Sequence, residues 1–198
     1  EQLMLLTIGG DACSKGAREV MQALSGLKGS LPDWKYICKV WPQPRTRLQN
    51  EADLELAAHL GIEDKVEYVT SIVSRNYMPY LINACDIYVA PSRLEGFGMP
   101  QVEAGACGKP VIGINAMGML DTLVHGETAL LAGVAEEIVV SEVMLGLESG
   151  FAANHKVRFG APRTVDYRAD VNDIRRHLET LMNDAACRAE GEKLQQEV

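Results

Sequence analysis

The amino-acid sequence predicts an α/β fold in which helices cover both faces of a parallel β-sheet. Short, continuous apolar runs of the kind found in fully buried strands alternate with longer stretches of helical length. Turns that contain glycine or proline separate the two kinds of segment. Such alternation is typical of strand–helix–strand units with right-handed crossovers, so we expect the strands to be parallel.

The chain has 198 residues, 47% of them hydrophobic, which suits a single domain with a substantial core. Its net charge of -8 argues against a nucleic-acid partner and gives no general attraction to an anionic membrane surface. No apolar run approaches the length of a membrane span, and nothing here indicates membrane association. The five cysteines lack the spacing of metal ligands, and we expect them to be reduced in a cytoplasmic protein without a metal.

The first predicted strand–helix unit covers residues 3–8 and 17–27. In the loop between them, Gly9 and Gly10 permit tight turning and close approach of a ligand to the backbone. Lys15 stands at the helix entrance, where the helix dipole disfavours a cation and a bound diphosphate would favour one. By spacing alone, an ordinary surface lysine is an equally good interpretation of Lys15.

The second strand, residues 34–40, and the third, residues 65–70, enclose a helix at 48–60 that ends at Gly61. Glycine commonly follows a helix C-terminus because it adopts left-handed backbone angles without strain. The carboxyl ends of parallel strands meet at one edge of the sheet, so the loops that follow them should converge on one ligand-binding crevice. The remaining elements of the sheet region are a helix ending near residue 84, a strand at 86–89, a short helix beginning near Pro100 and a strand at 110–114.

A glycine-rich loop leads directly into the helix that begins near Pro100. Proline suits the first turn of a helix because its missing N–H has no intrahelical partner there. Phe97, Gly98 and Met99 then stand at the helix entrance, where free backbone N–H groups favour a phosphate or a partly charged sugar oxygen. Gly96 and Gly98 would let such a ligand approach the backbone closely.

Two carboxylates flank this helix entrance, with seven residues between them. Glu95 lies in the loop and Glu103 about one turn into the helix, so both can face one crevice at different depths. Carboxylates accept strong hydrogen bonds from hydroxyl groups, so the pair suits a ligand rich in hydroxyls. Either glutamate taken alone is better explained as a solvated surface group, but the whole segment is not.

Residues 91–112 resemble the signature of the retaining nucleotide-sugar glycosyltransferases of family 4, the glycosyl transferases group 1. That signature reads roughly P-S-x-x-E-G-F-G-x-P-x-x-E-A-x-A-x-G-x-P-V-I, and this segment matches it closely along its length. The resemblance implies a Rossmann-like sheet with helices on both faces, which forms the C-terminal, donor-binding half of a GT-B fold. It also implies that an N-terminal half, which holds the acceptor, belongs to a longer enzyme.

The resemblance also implies roles for individual residues. Glu103 should accept hydrogen bonds from the ribose hydroxyls, Glu95 should contact the sugar, and Ile72 should meet the base through its backbone. Lys15 should offset charge that grows on the diphosphate as the glycosidic bond breaks. The implied catalytic residues are Glu95 and Lys15, and the implied donor-binding residues are Gly9, Gly10, Lys15, Ile72, Gly96, Phe97, Gly98, Met99 and Glu103.

The chain departs from the family at its first loop. The family pattern G-R-x-x-x-x-K-G, whose basic residues hold the diphosphate, is matched at Gly9 and Lys15. Gly10, however, stands where the arginine is expected. Arg18 and Arg93 are the candidates to take the place of this arginine in the phosphate clamp.

Two further segments are only partly similar to the family. Residues 41–47 replace the glycine-rich turn that usually follows the second strand. Residues 115–131 resemble the segment G-G-x-x-E-x-x-x-x-G-x-x-G-x-L, in which Gly118 and Gly126 fit and Asp121 replaces the glutamate.

The C-terminal third contains an addition to the family pattern. Residues 134–166 contain strand-like runs and predict a β-rich insertion, which we interpret as a hairpin lying over the sheet edge. A late helix is predicted at 170–184, with Asp170 as its N-cap. The polar tail, residues 185–198, is expected to be helical.

The sequence therefore predicts a donor domain for retaining transfer of a hexosyl group from a UDP-, GDP- or ADP-sugar to an unidentified acceptor. No metal is expected. The isolated chain is expected to be inactive, since the acceptor half is missing. Two alternatives remain: a nucleotide-sugar binding module without turnover, and another GT-B enzyme such as a nucleotide-sugar epimerase or a phosphorylase.

Overall fold

The computed structural model describes residues 2–27, 31–145, 155–186 and 188. Its main sheet has six strands in the order β3-β2-β1-β4-β5-β6, and every neighbouring pair is parallel. The predicted α/β class and parallel sheet are thereby confirmed. The strands are β1 (Gln2–Ile8), β2 (Asp33–Val40), β3 (Val66–Thr70), β4 (Ile87–Val89), β5 (Val111–Ile114) and β6 (Leu130–Ala132).

Five α-helices accompany the strands in the described residues. The second of them begins at Pro44, four residues before the predicted start, since proline fits the first turn of a helix. α1 packs against α2 and α5, whereas α3 packs against α4. The helices are α1 (Ala17–Ser25), α2 (Pro44–His59), α3 (Met78–Asn83), α4 (Met99–Ala106) and α5 (Val171–Asn183).

The apolar strand residues form the centre of one core. Leu5 and Leu6 of β1, Ile87 of β4 and Ile112 of β5 are fully buried, which explains why these strands read as continuous apolar runs. None of the described helices is both long enough and apolar enough to cross a bilayer.

The strand order reverses between β1 and β4. The chain proceeds outward from β1 to β2 and β3, and then returns to place β4 on the other side of β1. The loops that follow β1 and β4 therefore flank the crevice at this reversal, which is where open α/β sheets bind ligands. The glycine loop at residues 9–15 and the signature loop at 95–98 are these two loops.

The predicted β-rich insertion is an antiparallel hairpin of β7 (Val134–Leu145) and β8 (His155–Ala169). It is longer than predicted and forms a two-stranded sheet of its own beside the main sheet. Pro162 lies inside β8, at an irregularity between the pairs Val140–Arg163 and Glu142–Arg158, where a missing N–H interrupts no regular ladder.

The end of β8 is held against the main domain by contacts of Tyr167 and Arg168. The backbone N–H of Tyr167 donates to the carbonyl oxygen of Arg93 at 2.8 Å. The side chain of Arg168 lies 3.8 Å from the Glu19 carboxylate of α1. The hairpin is therefore connected to the loop after β4 and to α1.

The late helix was predicted almost to the residue. The Asp170 side chain accepts hydrogen bonds from the backbone N–H groups of Asn172 and Asp173, which makes it the expected N-cap. The predicted helical tail at 185–198 lies mostly outside the described residues.

Candidate functional site

The two loops of the crevice touch each other directly. The backbone N–H of Arg93 donates to the carbonyl oxygen of Ser14 at 2.9 Å. Gly16, at the start of α1, has a φ of 82°, and a Cβ there would lie 2.3 Å from the carbonyl oxygen of Pro91. Only glycine permits both the backbone angle and this approach, so Gly16 fixes the distance between the loops.

The first loop is shaped by Asp11. Its carboxylate accepts the backbone N–H of Ser14 at 2.6 Å and the Ser14 hydroxyl at 3.0 Å, which closes a tight turn over Cys13–Lys15. This turn orients Lys15 across Gly9, where a Cβ would lie 2.6 Å from Cγ of Lys15. A side chain at Gly9 would therefore collide with the Lys15 stem and with the Asp11 carbonyl oxygen, 2.7 Å away.

The two residues predicted to be catalytic meet in the crevice. Nζ of Lys15 and Oε2 of Glu95 form an ion pair between residues that are 80 positions apart in the chain. Their side chains are 16% and 14% exposed, so the pair is mostly desolvated. The Ser92 hydroxyl also lies within 3.4 Å of the same carboxylate oxygen.

The electrostatics of Glu95 follow from its position. Burial by itself would raise the pKa of Glu95, but the hydrogen bond and the charge of Lys15 outweigh it. The backbone N–H groups of Gly98 and Phe97 add to this effect, and the pKa of Glu95 falls below its usual value. The amides of Gly98 and Phe97 therefore help to stabilise the Glu95 carboxylate, and their binding of a phosphate stays a prediction.

We expect the Glu95 ion pair to make stability depend on pH. The folded pKa of Glu95 is lowered, so its contribution is complete above the unfolded value of about 4.3 and is lost as pH falls through the folded pKa. Urea unfolding of the wild type and of Glu95→Gln should therefore differ at about pH 6, and the difference should shrink below about pH 4. A difference that stays constant with pH would contradict this electrostatic role.

The entrance of α4 is held from below by Gln101. This fully buried side chain donates to the Ala90 carbonyl oxygen and to the Ser92 hydroxyl, each at 3.2 Å. Gly98 is the N-cap of α4 with a φ of 81°, a left-handed angle that glycine adopts without strain. The N-terminal end of α4 is therefore anchored to the residues that follow β4.

Phe97, Met99 and Glu103 of the predicted donor set lie in this helix or beside its entrance. The side chains of Phe97 and Met99 are about half exposed. Glu103 occupies the fifth position of α4, as predicted, and its side chain is half-buried. Its carboxylate forms no hydrogen bond or ion pair within the described ranges, so it can accept one from a ligand.

The segment Met117–Asp121 supports the signature loop, and the sequence did not reveal this contact. Met117 Sδ accepts the backbone N–H of Glu95 at 3.4 Å, and the Thr122 hydroxyl donates to the carbonyl oxygen of Phe97 at 3.2 Å. A Cβ on Gly118 would lie 1.8 Å from the carbonyl oxygen of Gly96. The family glycine at this position is therefore explained by backbone-to-backbone contact.

The arginines proposed for the phosphate clamp are both occupied elsewhere. Nε of Arg18 lies 2.5 Å from the fully buried carboxylate of Asp53 in α2. The guanidinium of Arg93 donates two hydrogen bonds, of 2.7 and 3.3 Å, to the Glu19 carboxylate. In this structure both arginines pair with carboxylates, and their replacing the arginine missing at Gly10 stays a prediction.

Gly10 itself is directed away from Lys15. Its carbonyl oxygen accepts the Trp41 backbone N–H at 3.3 Å, and a Cβ on Gly10 would meet only the Trp41 ring, at 3.8 Å. There is thus space at Gly10 for a side chain. The departure from the family at this position is not forced by packing.

The third loop, which follows β3, lines a separate part of the same sheet edge. Ile72, predicted to meet the base, is 86% exposed and borders a cavity of about 520 Å³. Trp41, which stands where the family has a glycine-rich turn, lines the same cavity, as do Lys39 and Val73. No three His, Cys, Asp or Glu side chains come together as a metal site in the residues that the structure describes.

Sequence comparison places this chain among known proteins. Residues 1–148 match the family described as "Glycosyl transferases group 1". A D-inositol 3-phosphate glycosyltransferase from Rhodococcus erythropolis is 31% identical over 122 residues, which cover 57% of this chain and 27% of that protein. One from Salinispora tropica is 41% identical over 76 residues, covering 38% and 15%. The matched region is therefore about a quarter or less of the length of these relatives.

Solved structures agree on the fold. The C-terminal domain of a glycosyl transferase group 1 family protein from Francisella tularensis superposes with a TM-score of 0.71 at 20% identity, covering 98% of this chain and 83% of that one. Anabaena Alr3699/HepE, solved in complex with UDP and glucose, gives 0.73 at 18% identity, covering 99% and 43%. With the six-stranded sheet, the crevice between its two loops and the matched signature, the chain belongs to the glycosyl transferases group 1 family.

Proposed function

We propose that this chain is the donor-binding domain of a glycosyltransferase that uses a nucleoside-diphosphate sugar. One observation carries the proposal: Lys15 and Glu95 come from two different loops and meet at the crevice, beside the entrance of α4. A cation, a carboxylate and a helix N-terminus together match a diphosphate linked to a sugar. The acceptor would be held by another part of the protein.

The ion pair between Lys15 and Glu95 is proposed to exchange partners when the donor binds. Lys15 would turn its ammonium to the diphosphate, and Glu95 would accept hydrogen bonds from the sugar hydroxyls. The amides of Phe97 and Gly98, which now stabilise Glu95, would then also face the phosphate. Each group is already in the crevice, so the exchange needs only side-chain rotation.

Catalysis would come from stabilisation of charge on the leaving group. As the glycosidic bond breaks, negative charge grows on the departing diphosphate, and Lys15 with the α4 entrance would offset it. This positive charge is proposed to serve without a metal ion. Retention of the anomeric configuration and transfer of a hexosyl group are proposed from the signature at 91–112.

Three considerations support the setting of this activity. Two similar proteins carry the name D-inositol 3-phosphate glycosyltransferase, and a structural neighbour was solved with UDP and glucose. The four described cysteines are free, as is usual in the reducing cytoplasm, where we place the enzyme. The chain by itself is proposed to bind donor without transferring it, because the acceptor-binding part is needed for transfer.

Calorimetric titration of the chain with UDP-, GDP- and ADP-sugars, each compared with its free nucleotide, tests the proposal. Glu103→Ala should weaken the binding of both the nucleotide-sugar and the free nucleotide about tenfold, as expected for the loss of one hydrogen-bonded charged group. Glu95→Ala should weaken only the part of the binding that depends on the sugar, so that the free nucleotide binds as it does to the wild type. Glu63→Ala, at an exposed turn on the opposite edge of the sheet, is the matched control and should bind as the wild type.

Two outcomes would contradict the proposal. Unchanged donor binding in both variants would show that the site is elsewhere, and absence of binding by all donors would remove the donor function. The second candidate function is a binding module without turnover, favoured by Gly10 in place of the family arginine. A full-length protein that binds the donor but releases no nucleoside diphosphate with any acceptor preparation would support that module.

A further inference from the structure

Lys39 is a buried cation that the site described so far does not use. It lies at the carboxyl end of β2, and only 4% of the residue is exposed. Its ammonium donates to the carbonyl oxygens of Ser71, at 2.5 Å, and Val40, at 3.1 Å. An ammonium has three N–H donors, so these two bonds leave one donor for another acceptor.

No carboxylate forms an ion pair with Lys39 in the described part of the chain. Burial lowers the pKa of Lys39, as expected for an ammonium removed from water without an opposite charge beside it. A buried, incompletely satisfied cation is costly to a protein. The cost is reduced when a ligand supplies the missing acceptor.

The cavity of about 520 Å³ beside Lys39 has the size of a ligand pocket. Its walls include the exposed faces of Trp41 and Ile72, which are 57% and 86% exposed. An aromatic ring and a flat aliphatic surface suit a planar base, which stacks on such side chains. Lys39 is the only Lys or Arg among the described residues that line this cavity.

The position of the Lys39 ammonium suits contact with the base of a nucleotide rather than with its phosphates. Its backbone carbonyl oxygen accepts the N–H of Gly9 at 3.0 Å, so β2 adjoins the loop proposed to hold the diphosphate. Its ammonium instead bonds to Ser71, in the loop after β3. A nucleotide with its diphosphate at Lys15 would therefore extend its base toward the cavity.

We propose that Lys39 selects the base by donating a hydrogen bond to its keto oxygen, so that the donor is a UDP- or GDP-sugar. This inference rests on the proposed donor-binding function. Uracil presents O4 and guanine O6, which are acceptors, whereas cytosine and adenine present an amino group at the same position. An ammonium only donates, so it pairs with a keto group and is left unpaired against an amino group. An ADP-sugar is accordingly disfavoured.

Titration of the wild-type chain with two matched pairs of free nucleotides tests the inference without a variant. UDP and CDP differ at the keto or amino group of a pyrimidine, and IDP and ADP differ at the same place on a purine. In the pair that binds more tightly, the keto member should bind at least about tenfold better, since one charged hydrogen bond is gained.

Lys39→Met removes the ammonium, which is the hydrogen-bond donor, and keeps an unbranched side chain of similar length. In this variant the keto preference should fall to within about threefold, while the amino-bearing nucleotide binds as before. Lys35→Met, on the same strand near its opposite end, is the matched control and should keep the wild-type preference. Thermal melting of both variants shows whether they fold, and the wild-type series stands independently of them.

The remaining outcomes each overturn the inference in a recognisable way. Equal weakening of all four nucleotides in Lys39→Met would place the ammonium on a phosphate, and unchanged binding would make it purely structural. If the wild type bound the keto and amino members of each pair equally well, and Glu103→Ala still weakened this binding, base selection would be rejected while the donor-binding function stands. If none of the four nucleotides or the donor sugars binds, the donor function and the base selection both fall.

Discussion

Replacing Arg93 with alanine is expected to lower the free energy of unfolding by about 3–5 kcal/mol. Arg93 holds Glu19 with two hydrogen bonds, and the two side chains are only 13% and 7% exposed. Removing the guanidinium leaves a buried carboxylate whose nearest other cation, on Arg168, is 3.8 Å away. A buried carboxylate that loses two hydrogen bonds and its nearest opposite charge is among the most costly defects that a single substitution can create.

Urea unfolding at neutral pH measures this loss. The matched control is Arg47→Ala, because Arg47 pairs with Glu51 on the surface of α2, where the side chains are 82% and 54% exposed. An exposed pair of this kind contributes about 0.5 kcal/mol or less. If Arg93→Ala unfolded at the same urea concentration as Arg47→Ala, the buried pair would not be a determinant of stability.

Arg93 was a candidate for the phosphate clamp, and its side chain and its backbone have separate partners in this structure. In this structure the guanidinium of Arg93 is engaged with Glu19 beside the signature loop. Its backbone joins the first loop through Ser14 and the hairpin through Tyr167, and alanine keeps both of these bonds. The substitution therefore tests the guanidinium alone.

Gly118→Ala is expected to cost about 3 kcal/mol in stability and to weaken donor binding at least about tenfold. The added Cβ would lie 1.8 Å from the carbonyl oxygen of Gly96 and 2.4 Å from its carbon. Both atoms belong to the backbone, so the conflict cannot be relieved by rotating a side chain. The signature loop must move, and the amides of Phe97 and Gly98 move with it.

Thermal melting and nucleotide titration of the same preparation separate the two effects. Gly160→Ala is the matched control, because a Cβ there meets no atom within 4 Å and β8 is exposed at this point. It should melt and bind within error of the wild type. A Gly118→Ala protein that behaved like this control would show that the contact with Gly96 does not position the loop.

Several features could be predicted because their causes lie close together in the chain. The strands read as apolar runs since both of their faces are buried, and the α4 entrance is encoded by Gly98 and Pro100 as neighbours. The cap of α5 depends on Asp170 and the two N–H groups that follow it. Backbone preferences of this kind act over a few residues, so a short window of sequence contains them.

The hairpin shows where such local information ends. Its two strands were predictable from β-rich runs, and Val134–Leu145 and His155–Ala169 are indeed strands. Their place was not, because the bond from Tyr167 to Arg93 joins residues 74 positions apart. Which surface a hairpin meets depends on the path of the whole chain.

The sequence by itself determined the parallel α/β architecture, the family and the residue types of the crevice, since these follow from periodicity and from one contiguous signature. Only the tertiary structure decided the partners. It paired Lys15 with Glu95, engaged Arg93 with Glu19, and buried Lys39 beside a cavity. A charged side chain takes the partner that folding brings within reach, and that distance depends on segments far apart in sequence.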